Sequence, residues 1–279
     1  MAIKRPAKLC VTDLDGTLLD SQSRISSTNR QTLERLGEQG VLRVLATGRS
    51  LWSMQRVIKD DDPFDYAIFS TGAGIMDWRS KELIYHKNLL QNEIHSVYEH
   101  LESLNLDYMI HAKVPDSHHL HYRAKRELPD FWQRLSFYDG FAKELQPAAL
   151  FEFREATQFL AIAEAGSEAL YYDLQQKLEP LTVIRCTSPL DFATLWIEIY
   201  AEGVNKGSAL EYLLNRYGVS FANAMVIGND YNDIDMLELV PNSYVPSNSA
   251  PELLAKHRRV AHHDNDGFSE AVSHWLKKA

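Results

Sequence analysis

The stretch that decides the fold reads LCVTDLDGTL and spans residues 9–18. Its apolar start is typical of a short buried strand, and the Asp-Leu-Asp-Gly that follows is typical of a tight loop after a strand. An aspartate in such a loop acts as a covalent nucleophile toward phosphorus, and a second carboxyl two residues on reaches the same site. The stretch therefore predicts a strand that delivers Asp13 and Asp15 to a reaction centre, with a capped turn as the alternative.

The residues after this stretch predict a parallel sheet. Helical spacing over Arg30–Gln39 is followed by a β-prone run at Val41–Ala46, a helix-like segment from Leu51 to Lys59 and a strand from Tyr66 to Ser70. Alternating strands and helices are the pattern of right-handed crossovers between parallel strands. The predicted fold class is α/β, a doubly wound, Rossmann-like core.

The middle of the chain follows a different pattern. After a predicted hairpin that ends near Tyr85, two amphipathic helices and several short strands alternate until about residue 189. The parallel pattern is then expected to resume at the alternating run Leu195–Tyr200. The sequence predicts a discontinuous core domain of residues 1–84 and 190–279, with an inserted α/β cap domain at residues 85–189.

Composition excludes several classes of protein. The chain has 279 residues, of which 45% are hydrophobic and 24% charged, and its formal net charge is −9. This charge balance gives no electrostatic reason to bind nucleic acid or an anionic membrane surface, and no apolar run is long enough to cross a membrane. Two cysteines do not make a disulfide framework, so we expect a cytoplasmic protein, monomeric or homodimeric, with a small-molecule partner.

Polar clusters follow the predicted strands or open a predicted helix. They are Asp13 with Asp15, then Thr47-Gly48-Arg49, then Lys206, and last the acidic run from Gly228 to Asp235. Ligands of open parallel sheets bind at the carboxyl ends of the strands. The four clusters are therefore predicted to form one site.

The chain resembles the haloacid dehalogenase-like hydrolase superfamily and, within it, the Cof-type sugar-phosphatase branch. The resemblance lies in four motifs in the family's order: Asp13–Thr17, Thr47, Lys206 and Gly228–Asp233. The predicted insertion lies between the second and third motifs, where this branch carries its larger cap.

The resemblance implies a role for each motif residue. Asp13 would attack phosphorus, and Asp15 would protonate the leaving oxygen and later activate water. Thr47 and Lys206 would complete the catalytic set. The implied phosphate-binding residues are Leu14, Gly16, Thr47, Gly48, Lys206 and Asn232. The implied cofactor is Mg²⁺, with candidate ligands Asp13, Asp15, Asn229, Asp230 and Asp233.

The fourth motif departs from the family's pattern. The usual form is Gly-Asp-x-x-Asn-Asp, and here Asn229 stands in direct register with the first aspartate. Magnesium prefers hard oxygen ligands, which an Asn carbonyl supplies with less charge. In the alternative the loop shifts by one residue and Asp230 takes the role, with Asp233 as a ligand or as an anchor for Lys206.

Candidate substrate contacts lie at the rim of this site and in the insertion. They are Arg49, Thr71 and Gly72 in the core, and His119 with His121, which would share one strand face of the cap. A solvated Arg49 and solvent-exposed histidines are the alternatives.

The sequence therefore predicts a magnesium-dependent phosphatase that hydrolyses a small phosphate monoester, such as a sugar phosphate, through an aspartyl phosphate on Asp13. Two alternatives stay open. A phosphosugar mutase would use the same aspartate, and a non-catalytic protein that binds phosphorylated ligands would have lost its metal through Asn229. A dehalogenase is disfavoured because Asp15 supplies an acid that carbon–halide chemistry does not need.

Overall fold

The computed structural model describes residues 6–126, 128–146, 150, 153–188, 190–191 and 193–277. The chain divides into two compact units. The first comprises Met1–Arg49, Met54–Tyr85 and Asn205–Ala279, and the second comprises Ser50–Ser53 and His86–Val204.

The first unit is built on an eight-stranded sheet with the order β15-β14-β13-β1-β2-β3-β4-β5. Pairing is parallel from β15 through β3 and antiparallel between β3 and β4. This arrangement confirms the predicted α/β class. The strands are β1 (Leu9–Thr12), β2 (Leu42–Ala46), β3 (Tyr66–Phe69), β4 (Gly74–Asp77), β5 (Leu83–His86), β13 (Ala224–Ile227), β14 (Asn242–Pro246) and β15 (Arg258–Val260).

Helices connect these strands. Helix α1 begins after Ser26, whose side chain accepts a hydrogen bond from the Asn29 amide, and it buries Leu33 and Leu36. A capping hydroxyl and an apolar stripe at helical spacing are the usual causes of such a segment. The helices are α1 (Ser27–Glu38), α2 (Leu51–Gln55, shared between the two units), α6 (Lys206–Tyr217), α7 (Ile234–Leu239), α8 (Pro251–Lys256) and α9 (Gly267–Leu276).

The core of the first unit lies along its central strands. All four residues of β1 are buried, as are those of β13, because strands in the middle of a parallel sheet are covered on both faces. Val11, Val44 and Val226 pack with Leu210 and Leu213 of α6. This packing fixes α6, and with it Lys206, relative to the end of β1.

The second unit carries a mainly antiparallel sheet with the order β11-β12-β10-β7-β8-β9, and β6 pairs with β10. The β8–β9 pair is parallel. Its strands are β6 (Leu89–Leu90), β7 (Asp107–Ala112), β8 (Leu120–Arg123), β9 (Ala142–Glu144), β10 (Glu155–Ala163), β11 (Thr182–Thr187) and β12 (Leu195–Tyr200), and its helices are α3 (Gln91–Ser103), α4 (Pro129–Ser136) and α5 (Glu168–Lys177).

One sequence prediction about this unit is wrong. Leu195–Tyr200 is a strand, as predicted, but it does not resume the parallel sheet, because it pairs antiparallel with β10 and β11. Residues up to Val204 consequently belong to the second unit, whereas the sequence placed the return to the core at residue 190. Alternation reveals that a segment is a strand, but it carries no information about the partner strand. Residue 189, the predicted end of the cap, lies outside the described residues.

Within the described part of the chain, the helices are all too short or too polar to cross a lipid bilayer.

Candidate active site

Three loops meet at the carboxyl edge of the first sheet. Asp13 follows β1, Thr47 follows β2, and the Gly228–Asp233 loop follows β13, while β1 lies between β2 and β13. The Asp13 amide donates to the Ile227 carbonyl at 2.9 Å, so the first and last of these loops are joined where they leave the sheet. The parallel register thus brings together the motif residues that the sequence singled out.

Lys206 lies at the centre of the site. Its ammonium nitrogen is 2.7 Å from Asp13 Oδ1 and 2.6 Å from Asp233 Oδ1, and 3.5 Å from Asn232 Oδ1. Its side chain is fully buried, and those of Asp13 and Asp233 are 7% and 0% exposed. Buried charges of this kind persist only when they are paired and hydrogen-bonded, so these contacts account for the position of the lysine.

Local structure fixes Lys206 at the first turn of α6. Asn205 caps the helix by accepting from the Ser208 amide at 2.7 Å. Gly207 packs against α7 so closely that a Cβ there would lie 2.7 Å from the backbone of Asp235. The helix dipole disfavours a lysine at this end. Burial lowers the pKa of Lys206, but the carboxylates of Asp13 and Asp233 raise it more strongly, so the residue stays charged.

Asp13 occupies an electrostatically crowded position. Burial raises its pKa, the Lys206 ammonium lowers it, and the nearby Asp233 and Asp15 carboxylates raise it again, with the net result above the value of an exposed aspartate. One lysine therefore serves two buried carboxylates, and the pocket favours additional positive charge.

Asp15 forms a two-pronged ion pair with Arg49. Arg49 Nε and Nη2 each donate to one oxygen of the Asp15 carboxylate at 2.7 Å. The sequence predicted a substrate contact for Arg49, with a solvated side chain as the alternative. The structure pairs Arg49 with Asp15, and its contact with substrate stays a prediction. A planar guanidinium on a carboxylate fixes the orientation of both groups.

The fourth-motif loop lies in direct register. Asn229, and not Asp230, lies beside Asp13, Asp15 and Thr17. Asp230 begins the short 3₁₀ helix Tyr231–Asp233: its carbonyl accepts from the Asp233 amide at 3.0 Å, and its amide donates to Asp233 Oδ2 at 3.1 Å. This geometry supports Asn229, rather than a one-residue shift to Asp230, as the residue facing the nucleophile.

Asp233 has a structural task at both of its oxygens. Its Oδ1 accepts from Lys206, and its Oδ2 accepts from the backbone amides of Asn229 and Asp230 at 2.8 and 3.1 Å. A Cβ on Gly228 would come within 2.6 Å of this carboxylate. These contacts favour the anchoring alternative for Asp233 over metal ligation.

The second-motif loop borders the same pocket. Thr47 is buried, and its hydroxyl accepts from the Arg49 amide at 3.1 Å. A Cβ on Gly48 would lie 3.2 Å from the Asn232 amide nitrogen and 3.4 Å from the Thr71 hydroxyl. Gly48 therefore lies between two further predicted site residues, Asn232 and Thr71.

Thr71 and Gly72 form a strained turn behind this loop. Ser70 and Thr71 have φ of 46° and 54°, which is unusual for non-glycine residues and especially for a β-branched one. Gly72 has φ of 103°, and a Cβ there would lie 2.3 Å from the Asn205 carbonyl oxygen. This turn thus packs directly against the cap of α6, so it supports Lys206 in addition to bordering the site.

The candidate cap histidines do not share a strand face. His121 lies in β8 with its ring against Phe153, whereas His119 precedes the strand in a turn and packs against His118 and Phe141. Both belong to the second unit. Their role in substrate binding stays a prediction.

Sequence reasoning missed Asn248. Its side chain donates to the Gly16 carbonyl at 2.8 Å and accepts from the His263 amide at 3.2 Å, which ties the loop after β1 to the loop after β15. Gly16 has φ of 68° and cannot be replaced without strain. The available signal was the position of Asn248, two residues beyond the end of the parallel strand β14.

The oxygen atoms around Asn229 fit a hard cation. One end of the Asn229 amide lies 3.3 Å from Asp13 Oδ2 and 3.0 Å from the Asp15 backbone oxygen, and without an ion the NH₂ group is the half of the amide that matches them. Carboxylate, carbonyl and amide oxygens are the ligands that Mg²⁺ takes in proteins. The residues that would hold the ion are therefore Asp13, Asp15 through its backbone, and Asn229.

Comparison with known proteins shows the family of this chain. A family model described as haloacid dehalogenase-like hydrolase matches residues 10–276. The HMP-PP phosphatase of Cronobacter sakazakii is 27% identical over 278 residues, covering 97% of this chain and 96% of that protein.

Solved structures show the same fold. BT1666 from Bacteroides thetaiotaomicron, described among the phosphatases of the superfamily, aligns with a TM-score of 0.80 at 20% identity, covering 98% of this chain and 96% of that one. The subclass IIB sugar phosphatase BT4131 aligns with a TM-score of 0.76 at 20% identity, covering 96% and 99%. Together with the family model, the motif order and the buried Lys206, this confirms the resemblance: the chain belongs to the haloacid dehalogenase-like hydrolase family.

Proposed function

We propose that this enzyme is a magnesium-dependent phosphatase that hydrolyses a small phosphate monoester through a phosphorylated Asp13. The observation that carries the proposal is the fully buried Lys206, bonded at once to Asp13 and Asp233. A purely structural ion pair of this kind gains little over apolar packing, so its place at the carboxyl edge of the sheet favours a catalytic use.

Each proposed step uses one side chain of the site. A carboxylate oxygen of Asp13 attacks phosphorus, and the P–O bond to the leaving alcohol breaks as a protonated Asp15, which has taken up a proton in place of its ion pair with Arg49, gives that proton to the leaving oxygen. Asp15 then takes a proton from water, which attacks phosphorus and releases inorganic phosphate and free Asp13. Arg49 keeps the Asp15 carboxylate oriented between these two proton transfers.

Charge in the pocket supports phosphoryl transfer. Lys206 Nζ contacts Asp13 and lies 3.5 Å from Asn232 Oδ1. Asn232 in turn lies beside Gly48. Phosphoryl oxygens would lie in this space, next to Gly48 and Thr47. Bound Mg²⁺ supplies further positive charge against the phosphoryl group. Asp13, Asn229 and the Asp15 backbone oxygen would hold it, while Asp233 positions Lys206 and Asp230 begins the short 3₁₀ helix.

The names of relatives narrow the substrate class. One relative is called an HMP-PP phosphatase and one structural neighbour a sugar phosphatase. We therefore propose a phosphorylated small metabolite, such as a sugar phosphate, as substrate. Cys10 and Cys186 are both buried thiols that form no disulfide, which agrees with the cytoplasmic location that we propose.

Release of inorganic phosphate from a panel of phosphate monoesters tests the proposal. Wild type is compared with Asp13→Asn, which keeps the shape of the side chain, with Mg²⁺ and with EDTA. We expect release that requires Mg²⁺ and is lost in the variant. Equal release by the variant would exclude Asp13 as nucleophile, and the formation of a bisphosphorylated product in place of phosphate would point to a mutase.

A further inference from the structure

Asn229 faces an unusual set of neighbours for an amide. The end of its side chain that lies 3.1 Å from Thr17 Oγ1 also faces Asp13 Oδ2 and the Asp15 carbonyl, which are both acceptors. The NH₂ group of the amide therefore occupies that position. It donates to Asp13 Oδ2 at 3.3 Å, the Asp15 carbonyl at 3.0 Å and Thr17 Oγ1 at 3.1 Å.

The two orientations suit different electrostatic conditions. The NH₂ group is the only half of the amide that matches two acceptors by hydrogen bonding. The oxygen suits the same position only when a cation accepts electron pairs from it and from Asp13 together. The amide halves have nearly the same shape, but with the oxygen turned inward the NH₂ group faces only donors, so the bound cation has to offset this electrostatic cost.

The other contacts of Asp13 make this side chain sensitive to charge. Asp13 Oδ1 is bonded to Lys206, and Lys206 is shared with Asp233. Within the described part of the chain, Asn229 is the side chain that meets the second oxygen of the nucleophile. The neutral NH₂ group of Asn229 gives Asp13 Oδ2 a hydrogen bond. A carboxylate at position 229 would instead repel this oxygen.

We propose that Asn229 is a cation-responsive latch on the nucleophile. In metal-free enzyme its NH₂ group ties Asp13 Oδ2 to the Asp15 carbonyl, and on binding of a divalent cation the amide turns and presents its oxygen. The inference rests on the proposed magnesium site. It goes beyond that site because it assigns Asn229 a second, competing role. The hydrogen bonds of its NH₂ group stabilise the metal-free pocket, and they lower the affinity of the site for the cation.

Calorimetric titration with Mg²⁺ measures the competition without any turnover. Asn229→Asp removes the competing donor and adds a charge, so we expect it to bind Mg²⁺ at least about tenfold more tightly than wild type. In EDTA the same variant should melt at a lower temperature than wild type, and saturating Mg²⁺ should reverse the order. The matched control is Asn223→Asp, the same change at an exposed residue before β13, which should leave both quantities unaltered.

Nuclear magnetic resonance separates a latch from simple loss or gain of a ligand. The side-chain NH₂ signals of Asn229, assigned by their disappearance in Asn229→Asp, should exchange slowly with solvent in EDTA. They should shift and exchange faster when Mg²⁺ saturates the protein. The same signals without change across the titration, or equal affinities of wild type and Asn229→Asp, would overturn the latch.

Phosphate release by the wild type keeps this test apart from that of the proposed function. Magnesium-dependent release together with equal affinities would refute the latch alone. Absence of Mg²⁺ binding in wild type and in both variants would refute the latch and the metal dependence of the proposed function together.

Discussion

Replacing Lys206 by methionine removes the ammonium that Asp13 and Asp233 share, while keeping most of the buried volume of the side chain. The two carboxylates stay at most 7% exposed and lose contacts of 2.7 and 2.6 Å. Removing one partner of a buried ion pair costs about 3–5 kcal/mol, because the remaining charge is left uncompensated. We therefore expect Lys206→Met to lower the free energy of unfolding by about this amount at pH 8.

The loss should depend on pH in a defined direction. Lys206 lowers the pKa of Asp13, so the variant has a pKa for this group still further above its unfolded value of 3.8. A carboxyl with a raised folded pKa destabilises the fold above that pKa, and the cost disappears as pH falls toward the unfolded pKa. The difference between variant and wild type should thus be largest at pH 8 and clearly smaller at pH 5.

Urea unfolding followed by circular dichroism in EDTA, at both pH values, measures these differences. In Lys206→Met with Asp233→Asn, one cation and one anion are removed together, and about half of the lost stability should return. Lys256→Met, at an exposed lysine of α8, is the control and should change stability by less than about 0.5 kcal/mol. A Lys206→Met protein within 1 kcal/mol of wild type at pH 8 would refute the reasoning, given the cost of about 3–5 kcal/mol expected for an uncompensated buried charge.

Three further perturbations test other parts of the account. Gly207→Ala puts a Cβ 2.7 Å from the Asp235 backbone, so it should lower the free energy of unfolding, measured in urea, by about 1–3 kcal/mol. It should also lower kcat by displacing Lys206. Unaltered values of both would contradict the packing of α6 on α7. Thr71→Asn relieves a β-branched residue at φ 54°, and the melting temperature should rise by the equivalent of about 1 kcal/mol, whereas Thr71→Val should bring no such gain. Burial and the Arg134 charge lower the pKa of His111 to about 3. Between this pKa and pH 6.5, the imidazole is therefore protonated in the unfolded chain but stays neutral in the folded chain. Wild type should therefore lose about 2 kcal/mol between pH 6.5 and 5 through this residue, and His111→Gln should lose correspondingly less; equal losses would contradict the assignment.

Much of the site could be predicted because its signals are local. Asp13 and Asp15 stand directly after a buried strand, Thr47 after the next, and the acidic loop after a third, and parallel pairing brings such strand ends together. Lys206 was predicted from its place at a helix start, where a positive charge is unfavourable without an anion nearby, and from the match of its spacing to the Cof-type pattern. The parallel sheet confirmed that these segments converge.

The sequence did not indicate which residue or strand each of these segments pairs with in the folded protein. Arg49 has several carboxylates within reach along the chain, and only the folded loops show that it pairs with Asp15. Alternation in Leu195–Tyr200 predicted a strand but not its sheet, since period-2 patterning is the same in both sheets. The bridging role of Asn248 depends on Gly16, 232 residues away, and no local pattern encodes such a contact.

Covalent trapping at Asp13 tests the central claim most directly. Enzyme turning over a phosphate ester with Mg²⁺ is quenched with borohydride, which reduces an acyl phosphate to the alcohol, and the digest is read by tandem mass spectrometry. The account predicts homoserine in place of Asp13, in a fraction that grows with substrate and is absent in EDTA. Homoserine at another position, or active turnover with Asp13 always unmodified, would contradict it.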